Sequence, residues 1–208
     1  MRRAVEPFRP LVAVAVPARN EEDHIGLCLD AIDRQTVGPD SVVILLNNCT
    51  DASEKRIRGL TLDVPREVVA VDFSPECAGA GPARRLAMEC AARHAGYCGV
   101  LMTTDADTIV PHDWIERNLA VMAAGTDAVC GRAVLADSDA AAIPQHLHAD
   151  DMREQRLLAL TDMMAWPIDP DPIDPPPRHT EASGASIAVR VEASCGPSPA
   201  GETSRAGR

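Results

Sequence analysis

Asp105-Ala106-Asp107 closes the apolar run from Cys98 to Thr104. Two carboxylates two residues apart project to the same side of an extended chain. At the carboxyl end of a buried strand, that side faces the crevice in which open α/β sheets bind ligands. Carboxylate oxygens are hard donors that suit Mg²⁺ or Mn²⁺, and such an ion commonly joins a protein to a substrate diphosphate. An Asp-x-Asp alone arises by chance in many chains. Here three further segments precede it: Val16-Pro-Ala-Arg-Asn-Glu-Glu22, Asn47-Asn-Cys-Thr-Asp51 and Gly81-Pro-Ala-Arg-Arg85. Gly79, Gly81 and Pro82 open a helix whose free N–H groups form a natural anion site. The guanidinium of Arg84 or Arg85 can fork onto a phosphate, with Arg84 the favoured ligand. Asn20 and Asp51 each also have a plainer reading as helix caps. His146 and His148, two apart, do not share a helix face and make no metal pair.

The elements that must position these residues alternate. Leu11 to Val16 is a β-branched run ending at Pro17 and predicts a first buried strand. A polar turn leads into a helix carrying Ile25, Leu27, Cys28, Leu29, Ala31 and Ile32, with Asn20 as candidate cap and Glu21, Glu22 and Asp23 favouring its positive end. Ser41 to Leu46 predicts a second strand, Asn47 to Ser53 a turn into a second helix, and Arg66 to Asp72 a third strand. A helix over Ala83 to His94 precedes the strand that ends in Asp105. Such β-α-β-α alternation implies a parallel sheet with helices on its faces. Further on, Pro111 to Ala124 reads as helix, Asp127 to Leu135 as strand, Ala140 to Met164 as mostly helix, and Ser183 to Arg190 as a short strand. The proline-rich stretch Pro167 to Pro177 predicts a surface loop, and the tail from Cys195 a disordered end.

Composition bounds the partners. The 208 residues suit one domain with an appendage. Hydrophobic residues make up 46% and aromatics only 2%, so the core must be built from Val, Leu, Ile and Ala. A formal net charge of -11 argues against a nucleic-acid binder, which needs a basic face. Seven scattered cysteines without a C-x-x-C pair predict buried thiols in a reducing cytoplasm rather than disulfides or zinc. No apolar run approaches the ~20 residues that span a bilayer, so a soluble chain with no integral membrane segment is expected. Peripheral membrane association stays open.

In their order and spacing, the four segments resemble the family 2 glycosyltransferases of the GT-A fold, over about residues 11 to 135, with a weaker echo at Gly184 to Arg190. The resemblance implies a Rossmann-like, mainly parallel α/β sheet with helices on both faces. It implies transfer of a sugar from a nucleotide-diphosphate sugar to an acceptor hydroxyl, with inversion, assisted by Mn²⁺ or Mg²⁺. In those terms residues 1–10 are an extension, 11–135 the donor-binding core, 136–194 the acceptor side with the proline-rich loop, and 195–208 the tail. Pro17, Arg19, Asn20 and Glu21 sit where the family holds the nucleotide base. Asn48 stands where an Asp usually pairs with the base, and its carbonyl can still accept from a ring N–H. Arg84 matches the arginine that reaches the donor, and Arg85 stands where the family often has Asn. Asp107 corresponds to the metal ligand and Asp105 to a contact with ribose or a metal-bound water. His179 is placed to complete the metal shell or touch the acceptor.

The likeness fails where inverting enzymes keep their general base, often in a Gly-Glu-Asp downstream of the Gly-Ala-Ser strand. Here Gly201-Glu202 is followed by Thr203. Either the chain is truncated or frame-shifted, or Glu202 is the base, or Glu181 substitutes. The expected function is therefore an inverting glycosyltransferase with an unspecified acceptor. The alternatives are a non-catalytic nucleotide-sugar-binding remnant and, further off, a nucleotidyltransferase, which would want a Gly-rich loop and lysine in the first turn.

Overall fold

The first strand, β1 (Val12–Ala18), alternates valine and alanine so that its two faces carry different volumes. Val12, Val14 and Val16 enter one core with Ile25, Leu29 and Ile32, while Ala13 and Ala15 enter the other. This is the two-residue period of a strand buried on both faces. β1 runs on through Pro17, past the end expected for it. The neighbouring strand pairs with β1 only as far as Ala15, so Pro17 sits beyond that ladder, where a missing N–H leaves no bond unmade.

The structure is a computed structural model and describes residues 9–168, 170, 176 and 184–194. After β1 come α1 (Ile25–Asp33), β2 (Ser41–Asn47), α2 (Ser53–Arg58), β3 (Arg66–Val71), α3 (Ala80–Ala95), β4 (Val100–Thr103), α4 (Trp114–Ala123) and β5 (Ala128–Cys130). They are followed by α5 (Asp137–Ala142), α6 (Gln145–Ala165), β6 (Ile187–Arg190) and α7 (Val191–Ser194). The sheet order is β3-β2-β1-β4-β6-β5. β1 to β4 are mutually parallel, as the alternation predicts, whereas β6 pairs antiparallel with β4.

Small residues let α3 lie close to the sheet. Ala83, Ala87, Ala91 and Ala95 are buried against Ala13, Ala15, Val43 and Leu45. The chain then turns directly into β4 through Gly99, where a Cβ would stand 2.2 Å from the carbonyl oxygen of Ala95. Only glycine fits there. On the other face, Gln35 is almost fully buried and joins three segments. Its amide donates to the carbonyls of Ala31 (2.9 Å) and Pro111 (2.7 Å), and its carbonyl accepts from the Ile115 N–H (3.0 Å). The loop that follows Asp107 is tied to α1 by this one side chain.

Two compact units divide the chain: residues up to Val129 together with those from Ile187, and Cys130–Ser186. In the second unit the expected helix over 140–164 is broken at Ile143-Pro144, since proline cannot donate into a continuing helix. The expected strand over 127–135 shortens to β5. The expectation of uniformly buried cysteines is corrected: Cys28 and Cys90 are buried, Cys49 and Cys130 half-buried, and Cys77 and Cys98 exposed. No described helix is long and apolar enough to cross a membrane. His179, Glu181, Glu202 and the tail from Cys195 lie outside the described residues, as does most of the proline-rich stretch.

Candidate functional site

The strand order reverses between β1 and β4: β1 continues to β2 on one side, and β4 lies on the other. A crevice at the carboxyl ends of the strands opens at such a switch point. The loops after β1, β2 and β4 all end there, and they carry three of the four segments singled out above.

The loops after β1 and β2 are fastened to each other. Asn20 and Asn48 both take positive φ (57° and 48°), a region that asparagine tolerates better than most residues. Asn20 does not cap α1; its Oδ1 accepts from the Thr50 N–H across the gap (2.8 Å), and the α1 N-cap is His24 without a side-chain bond. The Ala52 N–H donates to Glu22 Oε2 (2.7 Å), the Glu22 N–H to Asp51 Oδ2 (3.0 Å) and the Glu21 N–H to Ser53 Oγ (2.8 Å). Asp51 also accepts from Ser53 Oγ and N–H at the first residue of α2, although the N-cap of that helix is Ala52, without a side-chain capping bond. Slight desolvation acts to raise its pKa, but these donors outweigh it and hold the carboxyl below the usual range.

Asn48 is held from the β3 side. Its amide donates to the Phe73 carbonyl (3.0 Å) while its own carbonyl accepts from the Phe73 N–H (3.1 Å). This reciprocal clamp extends the β2–β3 pairing by one step, and it leaves the second amide N–H and the second carbonyl lone pair for a further partner. A carboxylate at this position could accept from Phe73 but not donate to it.

The carboxylate pair also departs from expectation. β4 ends at Thr103, and Asp105 opens a turn closed by the Thr108 N–H on the Asp105 carbonyl (3.1 Å). The same-side geometry of an extended chain therefore does not apply. Ala106 is buried between a half-buried Asp105 and an exposed Asp107. Asp105 forms an ion pair with Arg84, whereas Asp107 has no partner among the described residues. Arg85 is largely exposed and pairs with Glu89 in the next turn. Beneath the turn, the Cys28 thiol donates to the Asp105 carbonyl (3.4 Å). Burial, followed by the negative charges of Asp107, Asp105 and Glu21, pushes that thiol up to about 12.

Opposite them, α3 begins earlier than expected, with Gly79 as N-cap and no side-chain cap. Among the described residues the N–H groups of Ala80 and Gly81 have no partner, and Pro82 sits in the first turn, where it costs no bond. Arg19 reaches from the β1 loop to the carbonyl of Ala78 (2.9 Å) just before this helix. The fold therefore gathers Pro17, Arg19, Asn20, Glu21, Asn48, Arg84, Asp105 and Asp107 at one end of the sheet. Sequence reasoning missed Cys28, Ser53 and Phe73; only Ser53, at a helix start, carried a local signal. A surface cleft of about 570 Å³, lined by Glu22, Asp23, Lys55, Arg56 and their neighbours, opens beside α2, and neither Asp105 nor Asp107 lines it.

Among the described residues no group of three or more His, Cys, Asp and Glu forms a closed metal cage. The donor set still fits a hard divalent ion of the kind held by one or two carboxylates, with water and substrate phosphates completing the shell. Asp107 is exposed and has no partner among the described residues.

A sequence model of the family described as Glycosyl transferase family 2 matches residues 13–176, well over half of the chain. No curated protein matches the chain. Among solved structures it is similar to the mannosyltransferase PcManGT from Pyrobaculum calidifontis, solved with GDP-Man and Mn²⁺: 22% identity, 88% of this chain and 45% of that one, TM-score 0.54. It is also similar to glucosyl-3-phosphoglycerate synthase from Mycobacterium tuberculosis, solved with Mn²⁺, UDP and phosphoglyceric acid: 21% identity, 88% and 56%, TM-score 0.53. S. aureus TarS 1-349 with UDP matches over 61% of this chain and 38% of its own, at 20% identity and TM-score 0.49. The chain spans less than two thirds of the length of each.

Proposed function

The chain belongs to glycosyl transferase family 2 and has its GT-A fold, and we propose that it binds a nucleotide-diphosphate sugar at the crevice and transfers the sugar to an acceptor hydroxyl with inversion. The observation that carries this reading is the meeting, at the switch point, of an unpartnered Asp107, a positioned Asp105 and the uncapped start of α3. Each suits a different part of such a donor. The α3 N–H groups suit the diphosphate. Asp105 presents a fixed acceptor to a sugar hydroxyl. The loops after β1 and β2, stiffened by their mutual bonds, form a wall for the base through Pro17, Arg19, Asn20 and Glu21, whereas Asn48 shapes that wall through its Phe73 clamp.

Asp107, with His179, would hold Mn²⁺ or Mg²⁺, which would supply charge neutralisation on the departing diphosphate. Glu202 or Glu181 is the residue assigned to take the acceptor proton. The test is turnover. The chain, with UDP- and GDP-sugars and Mn²⁺, is expected to release the nucleoside diphosphate by transfer when the acceptor is present. Donor hydrolysis alone, or binding without any release, would favour the donor-binding remnant. Glu202→Gln and Glu181→Gln then separate the candidate bases, since loss of the true base removes ~10²–10⁴ in rate and leaves donor affinity unchanged.

A further inference from the structure

We propose that Arg84 is a positioning residue that acts on the donor through Asp105, and is not itself a ligand of the diphosphate. The inference rests on the crevice being a nucleotide-sugar site. Nη2 of Arg84 bonds to Oδ1 of Asp105, and Nε of Arg84 is buried with no acceptor. A guanidinium grips phosphate by two parallel N–H bonds from adjacent nitrogens. With Nη2 on a carboxylate and Nε buried, the side-on fork is closed to a phosphate, and Nη1 is the nitrogen left to meet one. The Arg84 side chain is only 21% exposed, against 83% for Arg85.

The helix beneath makes Arg84 a firm anchor. Ala83 and Ala87 flank it and are buried against β1 and β2, so its backbone is fixed to the sheet. On the opposite side Cys28, buried in α1, donates to the Asp105 carbonyl. Asp105 is held through its carboxylate by α3 and through its backbone by α1. Two consequences follow. Oδ2 is left as an acceptor of set direction for a ligand hydroxyl. Sharing its charge with a guanidinium also makes Asp105 the poorer cation ligand, so the cation falls to Asp107, the unpartnered carboxylate of the pair.

The experiment is a double-mutant cycle read by calorimetric titration in Mn²⁺. Wild type, Arg84→Ala, Asp105→Ala and the double variant are titrated with UDP and GDP, and with UMP and GMP, below their melting temperatures. Each single variant is expected to lose about tenfold in affinity, and the double variant no more than the worse single one. The Arg84→Ala loss is expected to be equal for mono- and diphosphate. Arg84→Lys, which keeps the charge but not the planar fork, is expected to lose as much as Arg84→Ala. Multiplying losses in the double variant, a larger loss for the diphosphate, or wild-type affinity in either Arg84 variant would each overturn the proposal. Failure of the wild type to bind any of the four nucleotides would overturn the donor-site reading, and the proposal with it.

Discussion

Asp107 and Asp105 stand two residues apart and differ in that Asp105 has a partner and Asp107, among the described residues, does not. That difference could not be read from the pattern Asp-Ala-Asp, since it depends on Arg84, twenty-one positions earlier, reaching the turn. What the spacing did carry was the location, the carboxyl end of a buried strand. Asp51 shows the same limit from the other side: its place at the start of α2 was legible, but its bond to the Glu22 N–H was not. Its lowered pKa has a consequence with a definite sign. Because the folded value lies below the unfolded 3.8, the stability it adds is present above that pH and is lost as pH falls through the folded value. Asp51→Asn should therefore flatten the acid limb of a melting-temperature profile below about pH 4, where wild type declines. Thiol labelling checks the packing. Cys77 and Cys98 should alkylate in the native protein, and Cys28 only on unfolding, as peptide mapping would show.

Among the elements, the parallel order of β1 to β4 followed from periodicity and breakers, and this is the part where local pattern and packing agree. The antiparallel β6 did not, because a four-residue strand carries no record of its direction. The clamp of Asn48 on Phe73 was not legible for a related reason: it joins residues twenty-five apart, a pairing the sequence does not announce. Gln35 offers the sharpest test at this scale. Gln35→Leu keeps the volume but leaves the Ile115 N–H without its partner, and leaves the Pro111 carbonyl with the Trp114 N–H alone. It should cost ~1–3 kcal/mol in chemical denaturation. It should also loosen the loop after Asp107, seen as faster amide exchange over 105–115. An unchanged midpoint and unchanged exchange would show that the loop is held by other contacts.

Across the whole molecule, strand ends, turn, helix start and carboxylates converge on one crevice, the place proposed for the donor. Glu181, His179 and Glu202, proposed for the acceptor side, lie outside the described residues, and α6 buries none of its own residues. Calorimetric titration of UDP and GDP with and without Mn²⁺ decides whether the crevice is a donor site. Mn²⁺-dependent binding of at least one of them is expected, abolished in Asp107→Ala with the melting transition of that variant preserved. Binding that ignores both Mn²⁺ and the loss of Asp107, or no binding by a well-folded wild type, would contradict it.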